Sequence, residues 1–336
     1  GIYALYVLFF PQLVAGPIER PGHMIHQFHE IHSFNTLQIK RGFELIIWGF
    51  FKKLVIADKT APLVDQVYGN LTDSSGLMVL VATVLFSYQL YCDFSGYSDI
   101  AVGSALVFGY DLTQNFNRPY SARTIADFWR RWHISLSSWL RDYLYYPLVF
   151  AREKISKVWL YLSLFITFTL IGLWHGASWT YVVFGSLHGF YMIFGSWTEK
   201  SRKKILKILR LSNFEIFMKI WQTVTIFLLV TMSFVFFRSV NIHDALYALE
   251  KVVSVFWDSV SWFENWNLGI SLRSMIVIVS AILVLECVQY AQTRLGTLFI
   301  FETKSSFVRF GWYYALVFSI LFFGYFGGQT FIYFKF

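Results

Sequence analysis

Charged side chains are scarce in this sequence. Asp, Glu, Lys and Arg make up 14% of it, against about 25% in soluble domains, which excludes an ordinary cytosolic globule. Cysteine is nearly absent. Cys92 and Cys287 fall in or near apolar segments with no CxxC partner, so they form no zinc pattern and read as small buried hydrophobes. No Gly-Lys-Ser/Thr phosphate loop follows a strand and no RNA-binding signature appears, so the net charge of +8 does not point to nucleic acid. The apolar run Ile2 to Phe10 has neither a basic stretch before it nor a small-residue cleavage site after it, and is not a signal peptide. A chain that opens on Gly1 inside such a run is expected to lack helices that precede it. There is no internal repeat, low-complexity tract or long linker, so a single membrane domain over 1–336 is expected.

Apolar residues are abundant: 56% of the chain, with a mean hydropathy of +0.52. Several windows approach the roughly 20 residues needed to span a bilayer, which predicts an all-α, polytopic transmembrane protein. Candidate segments run over Ile2 to Val14, Phe43 to Ile56, Leu77 to Tyr91, Ile100 to Tyr110, Val158 to Trp174, Trp179 to Trp197, Phe217 to Phe237, Met275 to Tyr290 and Trp312 to Tyr325. Lys52 and Lys53 interrupt the second and the fourth is short, so either reads as an interfacial or re-entrant piece.

The loops alternate in charge. Residues 199–210 hold six basic residues against one acid. Residues 239–273 hold Lys251 and Arg273 against Asp244, Glu250, Asp258 and Glu264. Residues 293–310 return to basic, with Arg294, Lys304 and Arg309 against Glu302. The positive-inside rule therefore puts 199–210 and 293–310 in the cytoplasm and 239–273 outside. Residues 113–157, with eight basic residues and three acids, also belong inside. The positive charge thus reflects topology and contact with anionic membrane lipids.

Within this frame Gly172-Leu-Trp-His-Gly-Ala-Ser-Trp179 stands out. His175 lies between the runs Val158 to Ile171 and Tyr181 to Phe194, neither of which carries Asp, Glu, Lys or Arg. An ionisable group at membrane depth is costly, so it marks either a functional site or a histidine satisfied between helices. If both flanking loops are cytoplasmic, two helices form a hairpin with His175 at its turn, away from the cytoplasm. The small residues of that turn allow close approach of backbone and substrate.

Three further patterns carry polar chemistry. From Ile125 onward the sequence reads as one amphipathic helix, with Phe128, Trp132 and Leu136 on one stripe and Arg130, Arg131 and Arg141 elsewhere. It fits a helix lying on the cytoplasmic membrane face, or a cationic lip for an anionic donor such as a coenzyme A thioester, with His133 at the inner end of a passage. Tyr91-Cys-Asp-Phe-Ser-Gly-Tyr-Ser-Asp99 places Asp93 and Asp99 between apolar runs. It reads as a break between two helices pinned by internal hydrogen bonds or an arginine, in preference to a glycosidase-like carboxylate pair. His23, His26, His29 and His32 recur every third residue, but each step turns about 60° around a helix, so the four cannot converge on a metal.

Taken together, these segments resemble one family. Phe10-Pro-Gln-Leu-Val-Ala-Gly-Pro-Ile18, Asp93-Phe-Ser-Gly-Tyr-Ser-Asp99, Asn115-Phe-Asn-Arg-Pro-Tyr120, Phe128-Trp-Arg-Arg-Trp-His-Ile-Ser-Leu-Ser137, Gly172-Leu-Trp-His-Gly-Ala-Ser-Trp179 and Phe331-Ile-Tyr-Phe-Lys-Phe336 occur in the order expected of the membrane-bound O-acyltransferases (MBOAT). The similarity is to the bacterial branch typified by the alginate O-acetylation membrane protein and the D-alanyl transfer protein of teichoic acid modification. One segment departs: after Pro147 this chain has Leu148-Val-Phe-Ala-Arg-Glu-Lys154 where alginate-type members carry a basic loop rich in glycine and asparagine.

The resemblance implies transmembrane, re-entrant and interfacial helices around a central passage in the bacterial cytoplasmic membrane, with further helices before residue 1. It implies that His175 and His133 are the catalytic histidines. No metal and no permanently bound cofactor is implied. The donor would be acetyl-CoA or another acyl thioester, which brings its own leaving group. The reaction then needs a base for the attacking hydroxyl, assigned to His175, with Trp174 and Trp179 shaping the pocket and His133 positioning the donor or assisting the thiolate. An acyl-histidine intermediate stays open. The acceptor would be an envelope or extracellular polysaccharide, reached directly or through a periplasmic or extracellular partner acyltransferase. Two alternatives remain: a proton-coupled transporter or channel, which would show inverted repeats not found here, and an acyltransferase acting on a lipid hydroxyl.

Overall fold

The computed structural model describes residues 1–211, 214–258, 268–300, 302 and 304–332, and among these no strand occurs. The helices run in chain order α1 (Ile2–Leu8), α2 (Pro21–Met24), α3 (Thr36–Phe50), α4 (Asp58–Gly69) and α5 (Gly76–Val107). Next come α6 (Ile125–Trp129), α7 (Ile134–Leu140), α8 (Tyr146–Phe150), α9 (Lys157–His175) and α10 (Trp179–Ile208). The series closes with α11 (Glu215–Arg238), α12 (Ile242–Ser254), α13 (Leu272–Leu295) and α14 (Ser306–Phe323). Five of these, α5, α9, α11, α13 and α14, are long and apolar enough to cross a membrane. The all-α, multi-pass membrane architecture follows, because a helix satisfies its own backbone groups where no water is at hand.

Helix starts follow the sequence closely. Asn35, Ser156, Ser178, Asn241, Ser271 and Ser305 each accept a backbone N–H of the first turn, ahead of α3, α9, α10, α12, α13 and α14. Each such cap contributes about 1 kcal/mol to the helix that it opens.

The chain divides into two compact units. The first comprises Gly1–Val67, Leu85–Asn115 and Asn267–Lys335. In it α3 crosses α5 at paired glycines. A Cβ on Gly42 would stand 2.6 Å from the carbonyl oxygen of Gly103, and one on Gly49 would stand 2.6 Å from that of Gly96. The two backbones therefore touch twice, two helical turns apart, in the way small residues let membrane helices approach. A seven-residue π-helix, Phe51–Ala57, joins α3 to α4 and carries Lys52 and Lys53.

That π-helix explains two departures from the sequence reading. Asp93 and Asp99 do not flank a break, since α5 runs through both without interruption. Their partners are lysines and not an arginine: Lys52 Nζ lies 2.7 Å from Asp99, and Lys53 Nζ lies 2.6 Å from Asp93 and 2.8 Å from Asp58. Asp93 also accepts the backbone N–H of Ile332 at 2.7 Å. Tyr333, Phe334, Lys335 and Phe336 of the C-terminal motif lie outside the described residues, as does Glu264 of the acidic loop. Cys92 is buried as expected, whereas Cys287 is exposed on α13.

The second unit comprises Tyr68–Val84 and Phe116–Trp266. The amphipathic segment from Ile125 is not one helix here. α6 ends at Trp129, and α7 starts after His133, whose φ of +43° is left-handed. The stripe of Phe128, Trp132 and Leu136 is nevertheless buried, because Phe128 of α6, Leu136 of α7 and Trp132 of the turn between them all face inward. α10 is as long as a span but is not among the five apolar ones. Gly, Ser, Thr and His dilute its first half, and lysines and arginines fill its second.

Candidate functional site

The α9–α10 hairpin that the charge pattern predicts is present, and its glycines set its width. A Cβ on Gly172 would strike the Tyr181 carbonyl oxygen, and one on Gly185 would strike that of Phe168. Thr169 and Ser186 hydroxyls bond across the pair at 3.0 Å. α9 terminates on His175, Gly176 is extended, and Ser178 opens α10. His175 thus ends a helix held against its neighbour by direct backbone contact.

Aromatic rings enclose its imidazole. The Phe237 ring centroid lies 5.1 Å away, that of Trp174 5.0 Å and that of Phe184 6.2 Å. Tyr181 packs on Phe237 at 5.2 Å. The two tryptophans of the motif turn outward, Trp174 being 55% exposed and Trp179 74% exposed. The buried walls beside the histidine are Phe184 and Phe237, contributed by α10 and α11, which the motif alone does not contain.

His133 occupies the gap between α6 and α7 and is 4% exposed. Left-handed backbone costs a non-glycine residue of order 1 kcal/mol and is found where the surroundings over-determine it. Here the flanking segments do so. The Asn117 N–H donates to the Arg131 carbonyl at 2.9 Å, and the Arg131 guanidinium meets Asp127 at 2.9 Å. Phe116 stacks beside the imidazole with centroids 6.4 Å apart. Arg118, in the facing segment, is also left-handed at φ +50°.

Burial pushes the His133 imidazole down to about 3, and the nearby His175 imidazole acts in the same direction. His133 is therefore neutral at physiological pH, with one ring nitrogen a donor and the other an acceptor. The same interaction means that the two histidines of the sequence reading lie within electrostatic reach inside one unit.

A third histidine completes the cluster. His188 of α10 is fully buried. The indole N–H of Trp129 donates to its Nδ1 at 3.2 Å, and its Nε2 meets the Ser233 hydroxyl at 2.8 Å. Ser233 in turn donates to the Val230 carbonyl at 2.6 Å. This bond ties α6, which leads into His133, to α10, which begins beside His175, and to α11. The signal for it was in the sequence: the reasoning that singles out an ionisable residue in an apolar run applies equally to His188 within Tyr181 to Phe194. Only the fold, however, brings Trp129 and Ser233 to it.

The remaining polar groups of the sequence reading have partners of their own. Asp99 is paired with Lys52 in the first unit, and Asp93 shares Lys53 with Asp58. His23 meets Glu19 at 2.7 Å, His26 the Gly22 carbonyl at 3.0 Å, and His32 the Gln27 carbonyl at 2.8 Å. These histidines are spread over α2, a 3-10 turn and coil, and among the described residues no three His, Cys, Asp or Glu side chains converge as a metal site.

Residues 2–238 match the family model described as MBOAT, membrane-bound O-acyltransferase family. A peptidoglycan O-acetyltransferase of Helicobacter pylori is 39% identical over 262 residues, covering 75% of this chain and 46% of that protein. A Pseudomonas aeruginosa protein named "probable alginate O-acetylase AlgI" is 38% identical over 269 residues, 80% of this chain and 47% of that one. A teichoic acid D-alanyltransferase of Bacillus subtilis is 31% identical over 208 residues, 59% of this chain and 52% of the relative. The chain thus spans about half the length of the curated relatives it matches.

Proposed function

Because the chain belongs to the membrane-bound O-acyltransferase family, we propose that it transfers an acyl group from a cytoplasmic thioester donor to a hydroxyl of an envelope or extracellular polysaccharide. The observation that carries this reading is the pairing of buried His133 with His175 on rigid supports within one unit. Acetyl is the favoured group, since the relatives named for O-acetylation are 36–39% identical and those named for D-alanyl transfer 28–31%.

The chemistry follows from the thioester. His175 takes the proton of the acceptor hydroxyl as its oxygen attacks the acyl carbonyl, forming the new C–O bond. The tetrahedral intermediate collapses with breakage of the C–S bond, and the proton passes from the imidazole to the departing thiolate. The ester and the free thiol leave, and the protein returns to its starting state. Neutral His133, on the arginine-rich segment, orients the donor. The phenyl walls at Phe184 and Phe237 exclude water that would otherwise hydrolyse the thioester. Acetyl-CoA fits this scheme as donor, entering beside the basic stretch 113–157 of the cytoplasmic face of the inner membrane. A partner acyltransferase outside would carry the group onward where the acceptor is remote.

The test is the ester-bound acetyl content of envelope polysaccharide, measured by mass spectrometry in cells that carry His175→Ala or His133→Gln. Loss of acetylation with His175→Ala, at unchanged membrane insertion, is expected. Full acetylation in that variant would overturn the assignment.

A further inference from the structure

The first unit contains a cavity of about 670 Å³ that the acyl-transfer chemistry does not use. Its volume falls within the roughly 300–1,000 Å³ of ligand-sized pockets. Phe51 and Val55 of the π-helix, Ile276 and Val284 of α13 and Phe323 of α14 form its apolar walls. Among the described residues of its lining, Arg273 alone is charged. All of these belong to the first unit.

A second cation stands at the same rim. Lys59 Nζ donates to the backbone carbonyl of Phe323 at 3.0 Å, the residue that closes the wall on the α14 side. Partial burial, and then repulsion from Arg273, lower the Lys59 ammonium from its ordinary value. No described carboxylate pairs with either side chain, and neither has a further partner among the described residues. Two like charges close together beside an apolar cavity repel each other and gain nothing from the wall. A single anion between them would relieve both. Arg273 is the second residue of α13, so in a bilayer its guanidinium reaches the headgroup level while the cavity extends along the helix toward the hydrocarbon.

We propose that this cavity is a binding site for one anionic phospholipid, with its phosphate between Arg273 and Lys59 and an acyl chain along α13. The guanidinium supplies the forked donor pair that matches phosphate oxygens, and the ammonium supplies a point charge. The apolar walls select a lipid over free phosphate, because phosphate alone would leave the cavity unfilled. The cations select an anionic headgroup over a zwitterionic one.

The experiment uses the purified protein in mild detergent, stripped of lipid and titrated with phosphatidylglycerol, phosphatidylcholine or glycerol phosphate. Binding is read by native mass spectrometry and by the shift in Tm. Phosphatidylglycerol should bind at one per chain, roughly tenfold or more tighter than phosphatidylcholine, given about 1 kcal/mol per cation near the headgroup. Glycerol phosphate should produce no shift. Arg273→Gln with Lys59→Gln should abolish the preference for the anionic lipid. Ser280→Trp, at an exposed position of the cavity lining, should block binding with both cations intact. Equal affinity for the two lipids would overturn the proposal, as would a shift with glycerol phosphate equal to that with the lipid. So would a cavity occupied by a second copy of the chain or by another segment of the protein, seen as no lipid bound to the wild type.

Discussion

Trp129 donates its indole N–H to Nδ1 of His188 at 3.2 Å, and this bond fixes the position of every proton around that imidazole. An indole nitrogen can only donate, so Nδ1 must accept. The remaining proton is then on Nε2, where it faces the Ser233 oxygen at 2.8 Å. The Ser233 hydroxyl has already given its own hydrogen to the Val230 carbonyl, at 2.6 Å. Both nitrogens of His188 are therefore committed, and the side chain ties α6 and α11 to α10.

Replacing His188 by Leu should leave the Trp129 indole N–H buried without an acceptor, at a cost of about 1–3 kcal/mol. Adding Trp129→Phe removes that donor, so the double variant should be less destabilised than the sum of the two single ones. Thermal unfolding in detergent across the four proteins reads this coupling, and simple additivity would contradict it. In the proposed reaction the donor KM should rise more than kcat falls, because the bond orients the segment leading to His133, the residue proposed to orient the donor.

Gly185→Leu should prevent the α9–α10 hairpin from closing, since even a Cβ there meets the Phe168 backbone. Gly195→Ala on the same helix has nothing within 4 Å and should stabilise it by up to about 1 kcal/mol. Membrane yield and protease resistance of the two variants should move in opposite directions.

Acid should weaken the fold through His133. Unfolded, its imidazole takes up a proton near pH 6.5, whereas in the fold burial delays this to about 3. A lowered value means that the folded state binds fewer protons, so stability from this group is intact above about pH 6.5 and declines as pH falls toward 3. His133→Gln has no such proton to take up. Its Tm should fall less steeply than that of the wild type across this window.

The sequence disclosed much of this arrangement. Apolar runs located the long helices, and the basic loops framed the α9–α10 hairpin with His175 at its turn. The errors share a physical origin. Periodicity counted Phe128, Trp132 and Leu136 onto one helix because two short helices can bury the same stripe even when a left-handed residue separates them. Asp93 and Asp99 suggested a break because isolated carboxylates are costly in an apolar run. Lys52 and Lys53 remove that cost, but only once a π-helix turns both toward α5, and no sequence period announces a π-helix. The walls at Phe184 and Phe237 were invisible for a simpler reason. In a chain this rich in phenylalanine, composition cannot say which rings meet a given histidine.

The contact of Gly42 and Gly49 with Gly103 and Gly96 bears on how this protein tolerates change. When a core position becomes too large, a neighbouring side chain can usually shrink to make room. At these four positions the obstructing atom is a carbonyl oxygen of the opposite helix. Val107, Ile100 and Ile46 also crowd three of these positions, but trimming them leaves the carbonyl in place, so no second substitution can undo the first without displacing a whole helix. Suppressor screens begun from alanine at Gly49 or Gly96 should return the original glycine far more often than any second-site change.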